Sequence, residues 1–233
     1  MTRAFLAAVV VLAALAPPAA AAPRIKQMVV FRDGHARLSQ PSLAATTVKV
    51  GRKRCALPGG TPLAALVRSA VAPLSLRDYG SCSKRPADAG SLFVRAIGSD
   101  RNKGSDGWVY KAGNVLGTAG AGDPAGPVGR GRLRPGARVT WFWCHVTSRD
   151  NGCPHTLVVA VTRGAGQLTV RVRRYDDRGK GRAAAGATVH AAGARATAEP
   201  DGVARLSVPS GRYSVYADQA GRIRSFPVAA EVK

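Results

Sequence analysis

The stretch at residues 141–161, WFWCHVTSRDNGCPHTLVVAV, constrains the fold more than any other part of the chain. It contains two runs of β-branched and aromatic residues, the types that favour strands, and a cysteine accompanies each run. An Asn-Gly pair lies between the runs and is typical of a tight turn, because both residues accept positive φ. The pattern predicts a β-hairpin in which Cys144 faces Cys153 and Phe142 faces His155, a geometry that allows a cross-strand disulfide.

The beginning of the chain has the pattern of a secretory signal peptide over residues 1–22. Arg3 supplies the positive charge, residues 4–16 form a short apolar run, and small residues follow, with cleavage expected after Ala21. The apolar run is too short for a stable membrane span, and no later run approaches about 20 apolar residues. The sequence therefore predicts a secreted, extracellular protein without a membrane anchor.

Four cysteines in an exported chain favour disulfide bonds. Three pairings are possible, and we expect Cys55 to pair with Cys82 and Cys144 to pair with Cys153.

Residues 45–162 have the pattern of a small α+β domain. Thr61 followed by Pro62 is typical of a helix start, and apolar residues then recur at helical spacing until Pro73 ends the pattern. Strand-like runs precede and follow this helix, so we expect one helix packed on a mostly antiparallel sheet. Residues 112–136 are rich in Gly and Pro and are interpreted as a loop, since they lack a phosphate-binding motif.

Several motifs in this region resemble the transcobalamin-C-terminal-like family, a β-grasp-type domain of unknown function. They are TPLAAL, SLFVRAIGS, GWVYKAGN and LRPGARVTWFW, and the similarity covers residues 46–161, with Gly107, Trp108 and Tyr110 as its most specific part. In transcobalamin-like proteins the related domain helps hold cobalamin, so the resemblance implies a corrinoid as one candidate ligand.

Residues 167–233 contain short strand-like runs at near-regular spacing, separated by turn signals, which predicts a β-sandwich. The segments GATVHA, TAEPDGVARLSVPSGRYSVYA and RSFPVAAEV resemble carboxypeptidase-regulatory-like, prealbumin-like domains, which implies a spacer, a stabiliser or an interaction module. The predicted fold is therefore mostly β with two domains: a signal peptide (1–22), an N-terminal segment or linker (23–44), a β-grasp-like α+β domain (45–162), a short linker (163–166) and an Ig-like or prealbumin-like β-sandwich (167–233).

The aromatic residues of the first domain pose a question about burial. Trp141 and Trp143 share one face of a strand by period-2 alternation, and we interpret this face as core. The alternative is an exposed aromatic strip that stacks on the rings of a ligand. The candidate ligand-binding residues on that alternative are Trp108, Tyr110, Trp141 and Trp143.

The sequence gives little support for metal binding or catalysis. Cys144, His145, Cys153 and His155 could be considered as a zinc set, but their spacing is not that of common zinc modules, and a disulfide is favoured. Neither a GxSxG element nor another arrangement of nucleophile, base and acid is recognisable. We expect no enzyme activity, no catalytic residues, no cofactor and no metal.

The charge is the remaining functional signal. The chain has 35 Lys and Arg against 13 Asp and Glu, a net charge of +22. Such a protein could adhere to an anionic cell-wall polymer or a membrane surface, although dispersed solubilising charge explains the composition equally well. Nucleic acid is not expected as a partner of an exported chain, and the sequence sets no oligomeric state. The leading hypothesis is an exported, non-catalytic binding or cell-surface-association protein, and the alternative is a binder of a small ligand, a corrinoid or a glycan.

Overall fold

The computed structural model describes residues 22–145, 152–164 and 166–232. The chain is mostly β, with 49% strand and 7% helix, as the sequence predicts. The predicted signal peptide lies outside the described residues except for Ala22, and so does most of the turn predicted at 148–152.

The elements follow each other in chain order. In the first part they are β1 (Lys26–Val30), β2 (Ala36–Ser39), β3 (Thr46–Val50), β4 (Lys53–Leu57), α1 (Pro62–Ser69), β5 (Leu74–Asp78), a 3-10 helix (Pro86–Ser91), β6 (Leu92–Ile97), β7 (Asp100–Arg101), β8 (Gly107–Ala112), β9 (Val115–Leu116) and β10 (Arg138–Cys144). In the second part they are β11 (Thr156–Gly164), β12 (Gln167–Tyr175), β13 (Gly181–Ala183), β14 (Thr188–Ala191), β15 (Ala194–Thr197), β16 (Val203–Ser207), β17 (Gly211–Asp218) and β18 (Val228–Val232).

Strand β10 is the middle of a five-stranded sheet with the order β2-β1-β10-β8-β9. It runs parallel to β1 and antiparallel to β8, so both of its hydrogen-bonding edges are occupied. Trp141 lies opposite Val29 on one side and Tyr110 on the other. Its aromatic and β-branched residues suit this position, because an interior strand is buried on a pleated surface between two neighbours.

Both faces of β10 are buried, which answers the question about the tryptophan face. Trp141 packs in a core that also receives Leu63 and Leu66 from α1. Phe142 points to the other face and packs in a smaller cluster with Ile223, which comes from the second part of the chain. The interpretation of the tryptophan side as core is therefore confirmed, and the opposite side is covered as well.

The predicted hairpin at 141–161 is wrong. Strand β11 pairs with β12 over nine residue pairs, and its apolar residues Leu157 and Val159 enter the core of the second part. The physical reason is that a strand has two edges, and β1 and β8 occupy both edges of β10. The disulfide between Cys144 and Cys153 forms as predicted, but it links the end of β10 to the segment before β11 and is not a rung within a hairpin.

The N-terminal segment 23–44, expected to be a segment or linker, contributes two strands to the five-stranded sheet. Strand β1 lies inside the sheet, with β2 on one side and β10 on the other. Met28 and Val29 are 1% and 0% exposed and face opposite clusters. The four-residue apolar run at 28–31 does not show this by itself, because the partner strand β10 lies more than a hundred residues later in the chain.

Helix α1 begins as the sequence predicts. The Thr61 hydroxyl accepts a hydrogen bond from the backbone N–H of Ala64 at 3.3 Å, and Pro62 occupies the first helical turn. Around this helix lie the hairpin β3–β4 and the three-stranded sheet β5–β6–β7. The second predicted disulfide, Cys55 to Cys82, ties β4 to the loop after β5.

The second part consists of two four-stranded sheets. One has the order β11-β12-β13 with β16 also paired to β12, and the other has the order β15-β14-β17-β18. Alternating residues of both sheets meet in one apolar cluster, for example Val170, Val189 and Val215, each fully buried. The division into two domains at the predicted boundaries stays a prediction, although β11 contributes its apolar side chains to this second cluster. In the described ranges, no helix has the length and apolarity that crossing a membrane requires.

A buried lysine joins the two parts. Lys111 of β8 is 0% exposed, and its ammonium donates hydrogen bonds to the carbonyl oxygens of Tyr175 (3.0 Å) and Asp176 (2.8 Å). The Asp177 carboxylate lies 3.4 Å from the same nitrogen. Burial lowers the pKa of Lys111, and the negative charge of Asp177 opposes that shift. The ammonium of Lys111 thus links the five-stranded sheet to the end of β12 and the turn that follows it, through two carbonyl oxygens and one carboxylate oxygen.

Replacing this ammonium should destabilise the protein. Lys111→Met leaves two carbonyl groups and the Asp177 carboxylate without their cation, so we expect the free energy of unfolding to fall by about 3 kcal/mol. Urea denaturation with the disulfides intact measures it, and Lys49→Met at an exposed position is the control. A loss no larger than that of the control would show that Lys111 does not hold the junction.

Candidate functional site

Three of the four predicted aromatic ligand contacts are core residues. Trp108, Tyr110 and Trp141 are 4%, 6% and 1% exposed. The Tyr110 hydroxyl donates a hydrogen bond to the carbonyl of Ala119 at 2.8 Å, and burial raises its pKa. These rings are therefore held inside the first part and do not form an exposed strip.

Trp143 is the only one of the four that is half-buried. It forms an edge-to-face pair with Trp108, with ring centroids 6.0 Å apart. The guanidinium of Arg32 lies over the Trp143 ring, 5.0 Å from its centroid. The ring thus already has partners within the protein. The structure brings the four predicted residues together as packing between β10 and β8.

A different aromatic pair is exposed, on the sheet β5–β6–β7. Tyr79 and Phe93 are 63% and 43% exposed, which is unusual for large apolar side chains beside a packed core. Their ring centroids lie 6.0 Å apart in an edge-to-face arrangement. Leu92 and Val94 on the opposite face of β6 enter the core, so strand alternation directs Phe93 to solvent.

Two arginines flank this pair on the same surface. Arg77 lies opposite Phe93 in the ladder, and its guanidinium is 4.8 Å from the centroid of the Tyr79 ring. Arg95 follows Phe93 by two residues and is exposed. Among the residues that the structure describes, neither guanidinium has a carboxylate partner. The surface combines flat apolar rings with cations that remain open to an anion.

The rings and arginines line a cavity of about 520 Å³. Asn102, Trp108 and the disulfide-bonded Cys144 and Cys153 line the same cavity. We call this cavity the Tyr79 groove. Its lining includes Arg77, Tyr79, Phe93, Arg95, Asn102 and Trp108, and also Asp106, whose carboxylate lies 2.6 Å from His145 Nδ1.

Two local hydrogen bonds hold the Asn102 side chain in the lining of the groove. Its carbonyl oxygen accepts from the backbone N–H of Trp108 at 3.0 Å, and its amide donates to the carbonyl of Val94 at 2.9 Å. Gly107 permits this close approach, since a Cβ there would lie 2.7 Å from the Asn102 side chain. The groove is therefore preformed, which reduces the entropy lost when a ligand binds.

Asp78 fixes the Tyr79 side of the groove. Its carboxylate, 7% exposed, accepts hydrogen bonds from the Lys53 ammonium at 2.7 Å and the Ser91 hydroxyl at 2.9 Å. It also accepts from the backbone N–H groups of Gly80 and Cys82, at 3.0 and 3.2 Å. The hydrogen bond from Lys53 is the main reason that the pKa of Asp78 lies far below its usual range, and the backbone donors add to the effect.

Sequence reasoning missed Tyr79 and Phe93. Phe93 could have been found, because the run LFVRAI alternates between apolar and exposed positions. This alternation places Phe93 on one face of the strand and Leu92 and Val94 on the other. Tyr79 directly precedes Gly80 and Ser81, so in the sequence it is typical of a loop. Only the hydrogen bonds of Asp78 and the pairing with β6 show that it continues the strand surface.

Three of the four residues considered as zinc ligands, Cys144, His145 and Cys153, make other interactions. The sulfur atoms of Cys144 and Cys153 are bonded to each other, and His145 Nδ1 lies 2.6 Å from the Asp106 carboxylate. The described ranges contain no group of three or more His, Cys, Asp and Glu side chains that could hold a metal ion.

Comparison with models of known protein families, with curated protein sequences and with solved protein structures found no match for this chain. The two family resemblances of the sequence analysis therefore stay predictions, and the Tyr79 groove has to be interpreted from its own chemistry.

The role of Asp78 predicts a specific pH dependence of stability. A carboxyl with a depressed pKa in the folded state stabilises the protein above the unfolded-state pKa of about 4, and this contribution is lost as the pH falls through the folded-state pKa. Asp78→Asn should therefore lower the free energy of unfolding at pH 7 by about 1–3 kcal/mol. Below pH 4 the difference in the free energy of unfolding between Asp78→Asn and the wild type should become smaller.

Chemical denaturation across this pH range measures the effect, with Glu231→Gln at a more exposed position as the control for loss of one negative charge. A difference between Asp78→Asn and the wild type that stays constant between pH 7 and pH 3 would contradict the assigned role.

Proposed function

We propose that this chain is an exported, non-catalytic binding protein that associates with an anionic, sugar-containing polymer at a cell surface. The observation that carries the proposal is the Tyr79 groove, where exposed aromatic rings lie beside arginines that have no carboxylate partner among the described residues.

The groove chemistry suits such a polymer. Aromatic rings offer a flat apolar surface on which a sugar ring can lie, and guanidinium groups bind carboxylate, phosphate or sulfate through paired hydrogen bonds. Arg77 and Arg95 lie on either side of Phe93 on the strand surface, so an extended chain can contact rings and cations together.

The net charge of +22 supports the same partner class. A strongly basic protein attracts polyanions over distances longer than the groove itself, and salt screens this attraction. Dispersed charge brings the polymer near, and the groove supplies the specific contacts.

Export is supported by the predicted signal peptide and by two disulfides, which persist in oxidising compartments. We further propose the finer architecture of the sequence analysis, a β-grasp-like first domain and an Ig-like or prealbumin-like sandwich, supported by the two separate large apolar clusters. In this arrangement the first domain recognises the polymer and the second spaces or stabilises it.

The alternative function, binding a corrinoid or a small glycan through the predicted aromatic face, has less support. Of its four residues, Trp108, Tyr110 and Trp141 are buried, and Arg32 already covers one side of Trp143. The aromatic rings accessible to a glycan are those of Tyr79 and Phe93, and not those of the four predicted residues.

Binding to alginate, a polymer of uronic acids, tests the proposal, with neutral dextran as the polymer control. Tyr79→Ala combined with Phe93→Ala should raise the Kd for alginate at least about tenfold, because buried aromatic contacts dominate binding energy at hot spots. Dextran should bind far more weakly than alginate at low ionic strength.

A matched pair of double variants separates the groove from general charge. Arg77→Gln with Arg95→Gln and Arg163→Gln with Arg195→Gln remove the same charge, and the second pair is exposed in the second part of the chain. Only the groove pair should weaken binding strongly. Equal weakening by both pairs would assign the attraction to dispersed charge, and absence of alginate binding at low ionic strength would overturn the proposal.

A further inference from the structure

The hairpin β12–β13 borders a second cavity, of about 350 Å³. It is lined by basic side chains, two aspartates and one histidine: Arg174, Arg178, Lys180, Arg182, Asp176, Asp177 and His155. Four cationic side chains thus face two carboxylates in one concave site.

The positions of these cations follow from the strand pattern. Arg174 and Arg182 are directly opposite each other in the β12–β13 ladder. Like charges placed opposite each other in a sheet repel and destabilise the pairing. Arg178 and Lys180 lie in the turn between the two strands, so the hairpin concentrates positive charge at its end.

The two carboxylates are already used for local structure. Asp176 accepts hydrogen bonds from the backbone N–H groups of Arg178 and Lys180, at 3.0 and 2.8 Å. Asp177 accepts from the backbone N–H of Cys153 at 3.1 Å and lies beside the buried ammonium of Lys111. Neither makes a hydrogen bond to the side chain of one of the four cations of the cavity.

The cations themselves have spare hydrogen-bonding capacity. Across the described residues, none of the four side chains forms an ion pair or a hydrogen bond with another protein group. The Nε of Arg174 is buried and has no acceptor there. A buried guanidinium donor without an acceptor is costly, and an oxyanion would satisfy it.

We propose that this cavity binds a phosphate or sulfate group of a ligand. Arg174 and Arg182 reach the anion from adjacent strands as a paired fork, and Arg178 and Lys180 contribute charge from the turn. A compact tetrahedral anion brings several acceptor oxygens to these donors, whereas the described lining contains no Phe, Tyr or Trp ring on which a sugar could lie. The site is separate from the Tyr79 groove and does not depend on its function.

Ligand binding here should also strengthen the junction between the two parts of the chain. The same turn supplies the carbonyl groups of Tyr175 and Asp176 that hold Lys111. A ligand that binds only the folded protein raises its melting temperature in proportion to the logarithm of its concentration, once it is well above the Kd. Thermal stability is therefore a direct readout of occupancy.

The test uses calorimetric titration and thermal unfolding of the full chain with inorganic pyrophosphate, phosphate and sulfate, and with citrate as a carboxylate control. Ionic strength is held constant throughout. Pyrophosphate should bind and raise the melting temperature, and phosphate and sulfate should do so more weakly. A response to citrate equal to that to pyrophosphate would overturn the preference for a tetrahedral anion.

Paired variants make the assignment specific to the cavity. Arg174→Gln with Arg182→Gln should weaken pyrophosphate binding at least about tenfold, since charge-assisted hydrogen bonds are lost. Arg171→Gln with Arg163→Gln removes the same charge outside the cavity lining and should leave the Kd nearly unchanged. Equal effects of the two pairs would overturn the proposal in favour of unspecific attraction.

The melting temperature of a variant without ligand shows whether the variant folds, so a loss of binding can be told apart from a folding defect. Arg182→Gln removes the like-charge pair, so the unliganded variant should melt at the same or a higher temperature than the wild type. Added pyrophosphate should then raise its melting temperature less than that of the wild type. An unchanged response to pyrophosphate in this stable variant would contradict the site.

Discussion

Strand β10 is hydrogen-bonded on both edges and buried on both faces, and the arrangement of the rest of the chain depends on it. Because β1 and β8 occupy its edges, β11 has to pair elsewhere and joins the second part. Because its two faces meet different clusters, the sheet is covered by α1 on one side and by residues such as Ile223 on the other. The disulfide between Cys144 and Cys153 then connects the end of this strand to the next sheet.

This burial removes the conspicuous aromatic residues from the surface, and the exposed aromatic rings lie on a different sheet. Trp141 and Tyr110 stabilise the core, while the outer face of β5–β6–β7 carries Tyr79 and Phe93 into solvent. The rigid groove results from two local arrangements, the hydrogen bonds around Asp78 and those of Asn102. Some of the basic side chains are clustered: Arg77 and Arg95 line the Tyr79 groove, and four further cations line the cavity at the hairpin β12–β13. Each site places cations where the described carboxylates are engaged elsewhere.

The sequence predicts what depends on local chemistry and misses what depends on distant partners. The start of α1 follows from Thr61 and Pro62, and the mostly β composition follows from short alternating runs. The hairpin at 141–161 was predicted wrongly because the sequence does not show that β1, far away in the chain, occupies an edge of β10. Tyr79 could not be recognised because its surface exists only once β5 pairs with β6. Phe93 was missed as well, although the alternation of LFVRAI places it on the face opposite to that of Leu92 and Val94.

The central proposal is that the Tyr79 groove supplies specific contacts to an anionic polymer, in addition to the attraction of dispersed charge. Hydrogen–deuterium exchange of the protein with and without bound alginate tests it most directly, because amide protection reports where the polymer lies. We expect protection to concentrate in residues 74–79 and 91–102, with little change in the sheets of the second part. Protection spread over the whole basic surface, or confined to segments outside the groove, would contradict the account.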